Sequence, residues 1–278
     1  MALELSGVSF TYAAGTTWSQ RALSDVSLSV EPGKLVLVVG ATGSGKSTLL
    51  RLASGLLTPE SGTVTIDESP ITSSALGREV GIVFQSPESQ LFAETLLADV
   101  AFGPLNLGLA HDAAEEVARD ALDAVGLPHE QFGERSPFTL SGGEARRAAI
   151  AGVVAMRPRY LLADEPTAGL DAEGRASVRE ILRDVGPDTG VVIVTHDAEE
   201  FLAEADAVLV LCSGSPVFSG ARSRIVADPA PLLAAGLLPP EVLLAQLLAR
   251  EAGAQLEEFT LDPLEAAQNL ARARGVRA

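Results

Sequence analysis

The sequence predicts an α/β fold in which a parallel sheet carries a nucleotide-phosphate loop, with a helical insert and a helical C-terminal extension around it. Three observations lead there. Leu35 to Val39 is a short apolar run that delivers Gly40-Ala41-Thr42-Gly43-Ser44-Gly45-Lys46-Ser47. Tyr160 to Ala163 is a second apolar run, and it ends in Asp164-Glu165. Between them, residues 85 to about 158 lose strand character and read as helices.

Taken in order, the chain starts with an alternating segment, Leu3 to Phe10, read as a strand with no signal peptide before it. Leu35 to Val39, bounded by Pro32-Gly33 and Gly40, reads as a buried parallel strand. The segment Gly40 to Ser47 fits G-x-x-x-x-G-K-[ST] at every fixed position. Glycines there let successive N–H groups turn inward onto phosphate oxygens, and the following helix N-terminus adds positive potential. In such a loop Lys46 reaches the β- and γ-phosphates, and the Ser47 hydroxyl coordinates Mg²⁺. Thr48 to Ala53 continues as a helix that ends at Gly55, and Gly81 to Phe84 reads as a strand closing on Gln85.

Helical patterns follow at Leu96 to Phe102, Asp112 to Val125 and Ala145 to Met156, the last stopped before Pro158. Ser141 and Glu144 have the spacing of a capping box, so Ser141-Gly142-Gly143-Glu144 is explained locally as a helix start. A second function is open to it. A phosphate loop leaves the γ-phosphate exposed, and a serine with two glycines at a helix N-terminus suits the uncovered side. Strand character returns at 160–164, 191–195 and 207–211. Open α/β sheets bind ligands at the carboxyl ends of their strands, where Asp164 is placed as an outer-sphere partner of Mg²⁺ and Glu165 as the base for the attacking water. His196 follows the strand Val191 to Thr195 and precedes Asp197, a residue suited to cap a helix. Helical segments bounded by proline then occupy Pro229 to Ala235, Pro240 to Glu251 and Pro263 to Arg274.

Composition narrows the function. The chain has 278 residues, 47% of them hydrophobic and 21% charged, enough for one elaborated domain plus an appendage. The single cysteine, Cys212, allows no disulfide framework within the chain and fits a reducing compartment. The longest apolar stretch, Leu232 to Ala249, is broken by Gly236, Pro239, Pro240 and Glu241 and cannot span a bilayer. A net charge of −17, with lysine only at Lys34 and Lys46, argues against nucleic acid as a partner. Arg146, Arg147, Arg157 and Arg159 form a local basic concentration, read either as a docking patch or as a solvated face with ion pairs.

Together these residues resemble the ABC-type ATPases over roughly residues 3 to 225. Leu140 to Glu144 matches the family signature and Gln85 the Q-loop. Ala168-Gly169-Leu170-Asp171 matches the D-loop, His196 the switch histidine and Tyr12 the aromatic that stacks on adenine. The resemblance implies a P-loop NTPase core with an antiparallel β subdomain, a helical signature subdomain at about 85–158, and a C-terminal extension, 226–278, that assists pairing. It implies catalytic roles for Glu165, His196 and Gln85, and an Mg²⁺ site at Ser47, Gln85 and Asp164. ATP contacts are expected from Tyr12, from Gly40, Ala41, Thr42, Gly43, Ser44, Gly45, Lys46, Ser47 and Thr48, and from Ser141, Gly142, Gly143, Glu144 and Asp171. The signature would come from a second ATPase subunit, a copy or a relative, so that ATP joins two chains.

Phe84 to Phe92 and Asp99 to Gly108, with Glu144, Arg146 and Arg147, resemble the ATPases of energy-coupling factor transporters, which import vitamins and metal ions such as cobalt or nickel. That implies a peripheral place on the cytoplasmic face of the membrane, with a transmembrane coupling subunit and a substrate-binding membrane subunit as partners. Gln90, Leu91 and Phe92 are expected on a short helix, with Leu91-Phe92 either docking the membrane partner or packing in the insert. A conventional ABC transporter ATPase and a soluble ABC ATPase of cofactor assembly are the alternatives.

Overall fold

Side-chain alternation along one buried strand organises the molecule. In β3 (Leu35–Gly40) every residue is buried. Val36 and Val38 belong to one apolar core, while Leu35, Leu37 and Val39 belong to another on the opposite face. The computed structural model describes residues 1–86, 90–256 and 258–273. Pro87, Glu88 and Ser89 of the stretch after Gln85 lie outside the described residues, as does Arg274 at the end of the last expected helix.

β1 (Leu3–Tyr12) and β2 (Gln20–Val30) pair antiparallel and precede β3. α1 (Lys46–Ala53), β4 (Ser61–Ile66), β5 (Ser69–Pro70) and β6 (Val80–Val83) follow. The insert holds α2 (Leu96–Asn106), α3 (His111–Ala124), α4 (His129–Phe132) and α5 (Gly142–Val154). The chain then returns through β7 (Tyr160–Asp164), α6 (Ala172–Arg183), β8 (Gly190–Thr195), β9 (Ala207–Cys212) and β10 (Ser215–Ala221). Helices α7 (Arg222–Ala227), α8 (Ala230–Ala234), α9 (Glu241–Glu251) and α10 (Pro263–Ala273) close it.

The strands form a four-stranded antiparallel sheet, β2-β1-β4-β5, and a six-stranded sheet, β10-β9-β3-β8-β7-β6. In the larger sheet all pairings are parallel except that of the edge strand β10. Register aligns Val39 with Thr195, Asp164 with Val194, and Val83 with Ala163. The phosphate loop, the acidic pair, Gln85 and His196 therefore all leave the sheet at its carboxyl edge.

The antiparallel sheet and α1 cover one face through Leu5, Leu28, Leu49 and Leu52. The insert covers the other through Val100, Leu122 and Ile150. Ile225, Leu232, Leu243 and Phe259 join this second core, so the C-terminal helices pack onto the same body. Gln246, fully buried in α9, bonds the Thr260 carbonyl and amide and so ties α9 to the segment before α10.

Several expectations are corrected. Gln90, Leu91 and Phe92 form no helix. The Gln90 side chain accepts from the Phe84 amide, and the amides of Phe92 and Ala93 both donate to Asp99 Oδ2, which fixes an extended turn. The Leu91-Phe92 pair is split: Leu91 is 6% exposed and packs in the core, whereas Phe92 is 57% exposed. Asp197 caps no helix; its carboxylate accepts from the Glu199 amide two residues on, in a turn. The edge strand β10 had no counterpart in the sequence reading, because Pro216 and Gly220 interrupt any alternation there.

Candidate active site

The phosphate loop is shaped by glycine. Gly45 sits at φ 102°, and a Cβ there would lie 2.6 Å from the Ala22 carbonyl oxygen, so a larger residue is excluded by both strain and contact. Gly45 also stands at the N-cap of α1, which has no side-chain cap and no acidic residue in its first turn. Its leading N–H groups and dipole are thereby left to an acceptor from outside the helix. The buried Lys46 ammonium donates to the carbonyls of Gly40 at 2.7 Å and Ala41 at 3.2 Å. Burial pushes its pKa down, and the carboxylates of Glu165 and Asp164 oppose that.

Strand alternation carries Tyr160 and Leu162 into the core that holds α1. Asp164 has the same parity, and the Ser47 hydroxyl at the start of α1 hydrogen-bonds its carboxylate. Burial pushes the Asp164 carboxyl up; the Ser47 bond and Lys46 charge pull against it, while Glu165 adds to the rise. A hydroxyl and a partly desolvated carboxylate beside an anion-binding loop suit a hard cation that shares its ligands with phosphate. The next residue breaks the alternation. Glu165 has φ 48°, uncommon for a residue with a side chain. Its amide donates to Val194 O, and its carboxylate turns toward the end of β8. There it accepts from Thr195 Oγ1 at 3.1 Å and from His196 Nδ1, 2.9 Å from both carboxylate oxygens. The carboxylate is nearly buried, while the His196 side chain is 61% exposed. Nδ1 is therefore the donor, and Nε2 is left for a further partner.

The other expected residues fall as follows. Ala41, Thr42 and Gly43 are exposed along the loop, whereas Ser44 and Thr48 are buried at its base. The Tyr12 hydroxyl is 3.3 Å from Thr48 Oγ1, and its ring packs edge-on against Phe10, beside the first turn of α1. Gln85 is exposed just beyond β6, at the same sheet edge. Asp171 caps α6 by accepting from the Gly174 amide at 2.8 Å.

The signature residues stand apart. Ser141 caps α5 and bonds reciprocally with Glu144, a complete capping box. The Ser141 amide on its carboxylate holds Glu144 below the usual glutamate range. Among the described residues, no hydrogen bond runs from residues 141–144 to the phosphate loop. Gly142 has open space where a Cβ would go, and Gly143 meets nothing nearer than 3.9 Å.

The basic concentration around this helix divides: Arg157 is exposed, whereas Arg146 and Arg159 are engaged within the chain. Arg146 is 5% exposed and donates to the carbonyls of Gln85 at 2.5 Å and Ala168 at 3.0 Å. Arg159 bonds Asp67 and Glu79. The sequence reading missed this position of Arg146, although the signal was present: residues 146, 150 and 153 have helical spacing, and all three are buried.

Comparison with known proteins identifies the family. A model of the ABC transporter family matches residues 23–168. The chain is 45% identical over 279 residues to the energy-coupling factor transporter ATP-binding protein EcfA2 of Lactiplantibacillus plantarum, covering 96% of this chain and 94% of the relative. The chain belongs to the energy-coupling factor ATPases of the ABC transporter family. Among solved structures, this energy-coupling factor ATPase superposes on cbiO1 from Clostridium perfringens, part of the cbiONQ transporter complex. The TM-score is 0.71 at 31% identity, covering 88% of this chain and 98% of that one. It also superposes on the dimeric cassette MJ0796 bound to ADP and Pi, with a TM-score of 0.69 at 28% identity over 79% of this chain and 98% of that one. Among the described residues no helix is long and apolar enough to cross a membrane.

Proposed function

We propose that this energy-coupling factor ATPase works as one half of a two-cassette sandwich that drives import of a micronutrient, a transition-metal ion or a vitamin, from the cytoplasmic face of the membrane. The observation that carries the hydrolytic half of this reading is the Glu165 carboxylate, held by His196 and Thr195 at the mouth of the phosphate loop.

Lys46 and the α1 N-terminus neutralise the triphosphate, and Tyr12 supports the adenine. Glu165 takes the proton of the attacking water, Gln85 orients that water, and His196 presents Nε2 to the γ-phosphate. Ser47, Gln85 and Asp164 would hold Mg²⁺, which would supply charge neutralisation to the triphosphate. Positioning and electrostatics together account for the catalysis.

Pairing rests on the signature. Within its own chain neither Gly142 nor Gly143 is required for steric reasons, so the bare surface suits close approach by a ligand held on another chain. The dimeric relative bound to ADP and Pi supports the same reading. A membrane coupling subunit fits the groove of about 360 Å³ between β6 and α2. Phe92 and Phe102 stand exposed at its rim, edge to face at 4.7 Å. The groove begins at Phe84, next to Gln85, so force on it reaches the catalytic edge directly. Glu165→Gln tests the hydrolytic assignment: ATP binding is retained and steady-state hydrolysis nearly disappears, whereas undiminished turnover would remove Glu165 from the reaction.

A further inference from the structure

Arg146 lies on the signature helix, yet every partner named for it above belongs to the catalytic edge of its own chain. One guanidinium nitrogen donates to Gln85 O at 2.5 Å and lies 3.5 Å from both Phe84 O and Glu165 O. The other donates to Ala168 O at 3.0 Å. Residues 165–168 form a turn closed by the Ala168 amide on Glu165 O. That turn starts at the left-handed Glu165. A backbone of this kind persists only where its surroundings over-determine it. Val194 O holds the Glu165 amide, the turn closes from below, and Arg146 grips the carbonyl side.

We propose that Arg146 is a positioning residue that fixes Gln85 and Glu165 of its own chain to the signature helix, whose tip serves the partner's ATP. The first part stands on this chain alone; the link between two ATP sites rests on the sandwich reading. Ser141 and Arg146 are five residues apart on one continuous helix, about 7.5 Å of rise. When the α5 tip seats on the partner's nucleotide, Arg146 moves with it and carries the Q-loop and the base into register. The planar guanidinium reaches two carbonyls on separate loops with two nitrogens held in a fixed fork, a spacing that the single nitrogen of an ammonium does not reproduce. The function is therefore specific to arginine rather than to positive charge.

The test uses Arg146→Gln and Arg146→Lys in the full chain, with its natural partner cassette if it has one. Three readouts are needed: kcat and KM for ATP, thermal unfolding, and ATP-driven pairing in a Glu165→Gln background. Misplacement of a base by about 1 Å costs on the order of 100-fold in rate, so Arg146→Gln is expected to lower kcat by about 30- to 100-fold. KM should stay within about threefold, and ATP-driven pairing should be retained, because the Ser141 end of the helix is untouched. Arg146→Lys, the variant more certain to fold, should also lose kcat, by about tenfold. Wild-type kcat in either variant overturns the proposal. So does a parallel loss of kcat, pairing and thermal stability, which a merely structural arginine would give. If Glu165→Gln itself fails to pair with ATP, the sandwich reading falls, and the split between kcat and KM still decides the role of Arg146.

Discussion

The phosphate-loop edge and the signature tip are built on opposite terms. At the loop edge, polar groups at the ends of three separate strands answer one another: Lys46 with the loop carbonyls, Ser47 with Asp164, and Glu165 with Thr195 and His196. At the signature tip, Ser141 and Glu144 cap each other, Arg135 lies 3.9 Å from the Glu144 carboxylate, and two glycines have no steric duty within the chain. The first region explains itself from inside. The second is complete as a helix start and unexplained as anything else, which is the mark of a surface shaped for something beyond the chain. Buried Arg146 joins the two.

The largest expected effect lies on the loop edge. Glu165→Gln should lower kcat by at least about 100-fold while ATP still binds, read in a coupled phosphate-release assay with nucleotide binding measured in parallel. Asp164→Asn should separate function from stability at the same edge. Burial raises the Asp164 pKa, so the folded state holds that proton more tightly than the unfolded chain. Stability then falls as pH rises from the ordinary value of 3.8 through the raised one. Removing the charge should raise Tm at neutral pH by about 2 °C, with hydrolysis lost. A lower Tm would show that the charge is compensated in the folded state.

Substitutions at the signature tip should be milder for folding and invert the pattern. Glu144→Ala removes half of the capping box and should cost about 1 kcal/mol at neutral pH. Glu144 is held below its ordinary 4.5, so this contribution is present above that value and is lost as pH falls through the depressed one. Denaturant titration at two pH values checks the sign. The smallest effect on folding is the sharpest for the comparison. Gly143→Ala should stabilise the chain by about 0.5 kcal/mol, because the position is helical and a Cβ there meets only ordinary contacts at 3.9 Å. The same change should reduce ATP-driven pairing. A destabilised Gly143→Ala would mean that the glycine serves its own chain.

Much of this contrast was legible in the sequence, for a physical reason. The phosphate loop, the Asp164-Glu165 strand end and the Ser141–Glu144 cap are each contiguous, so local spacing carries their chemistry. Connections made through tertiary contact were not. A charge count groups Arg146 with Arg147, Arg157 and Arg159 because it ignores helical phase; the spacing of Arg146 to Ile150 and Val153 is what places it inside. The turn at Gln90 to Phe92 escaped because side-chain bonds from Gln90 and Asp99 create it, not local propensity. Thr195 became visible as a partner of Glu165 only when the register of β7 and β8 was known.

The central claim is that the signature tip completes a site on another chain. The most direct measurement is the solution mass of the Glu165→Gln chain by light scattering, with its natural partner cassette where one exists, with and without saturating ATP. The mass of a pair should appear only with ATP, and Ser141→Arg added to the same chain should abolish it. A chain that stays single at saturating ATP, or one that pairs equally well with Ser141→Arg, would contradict the account.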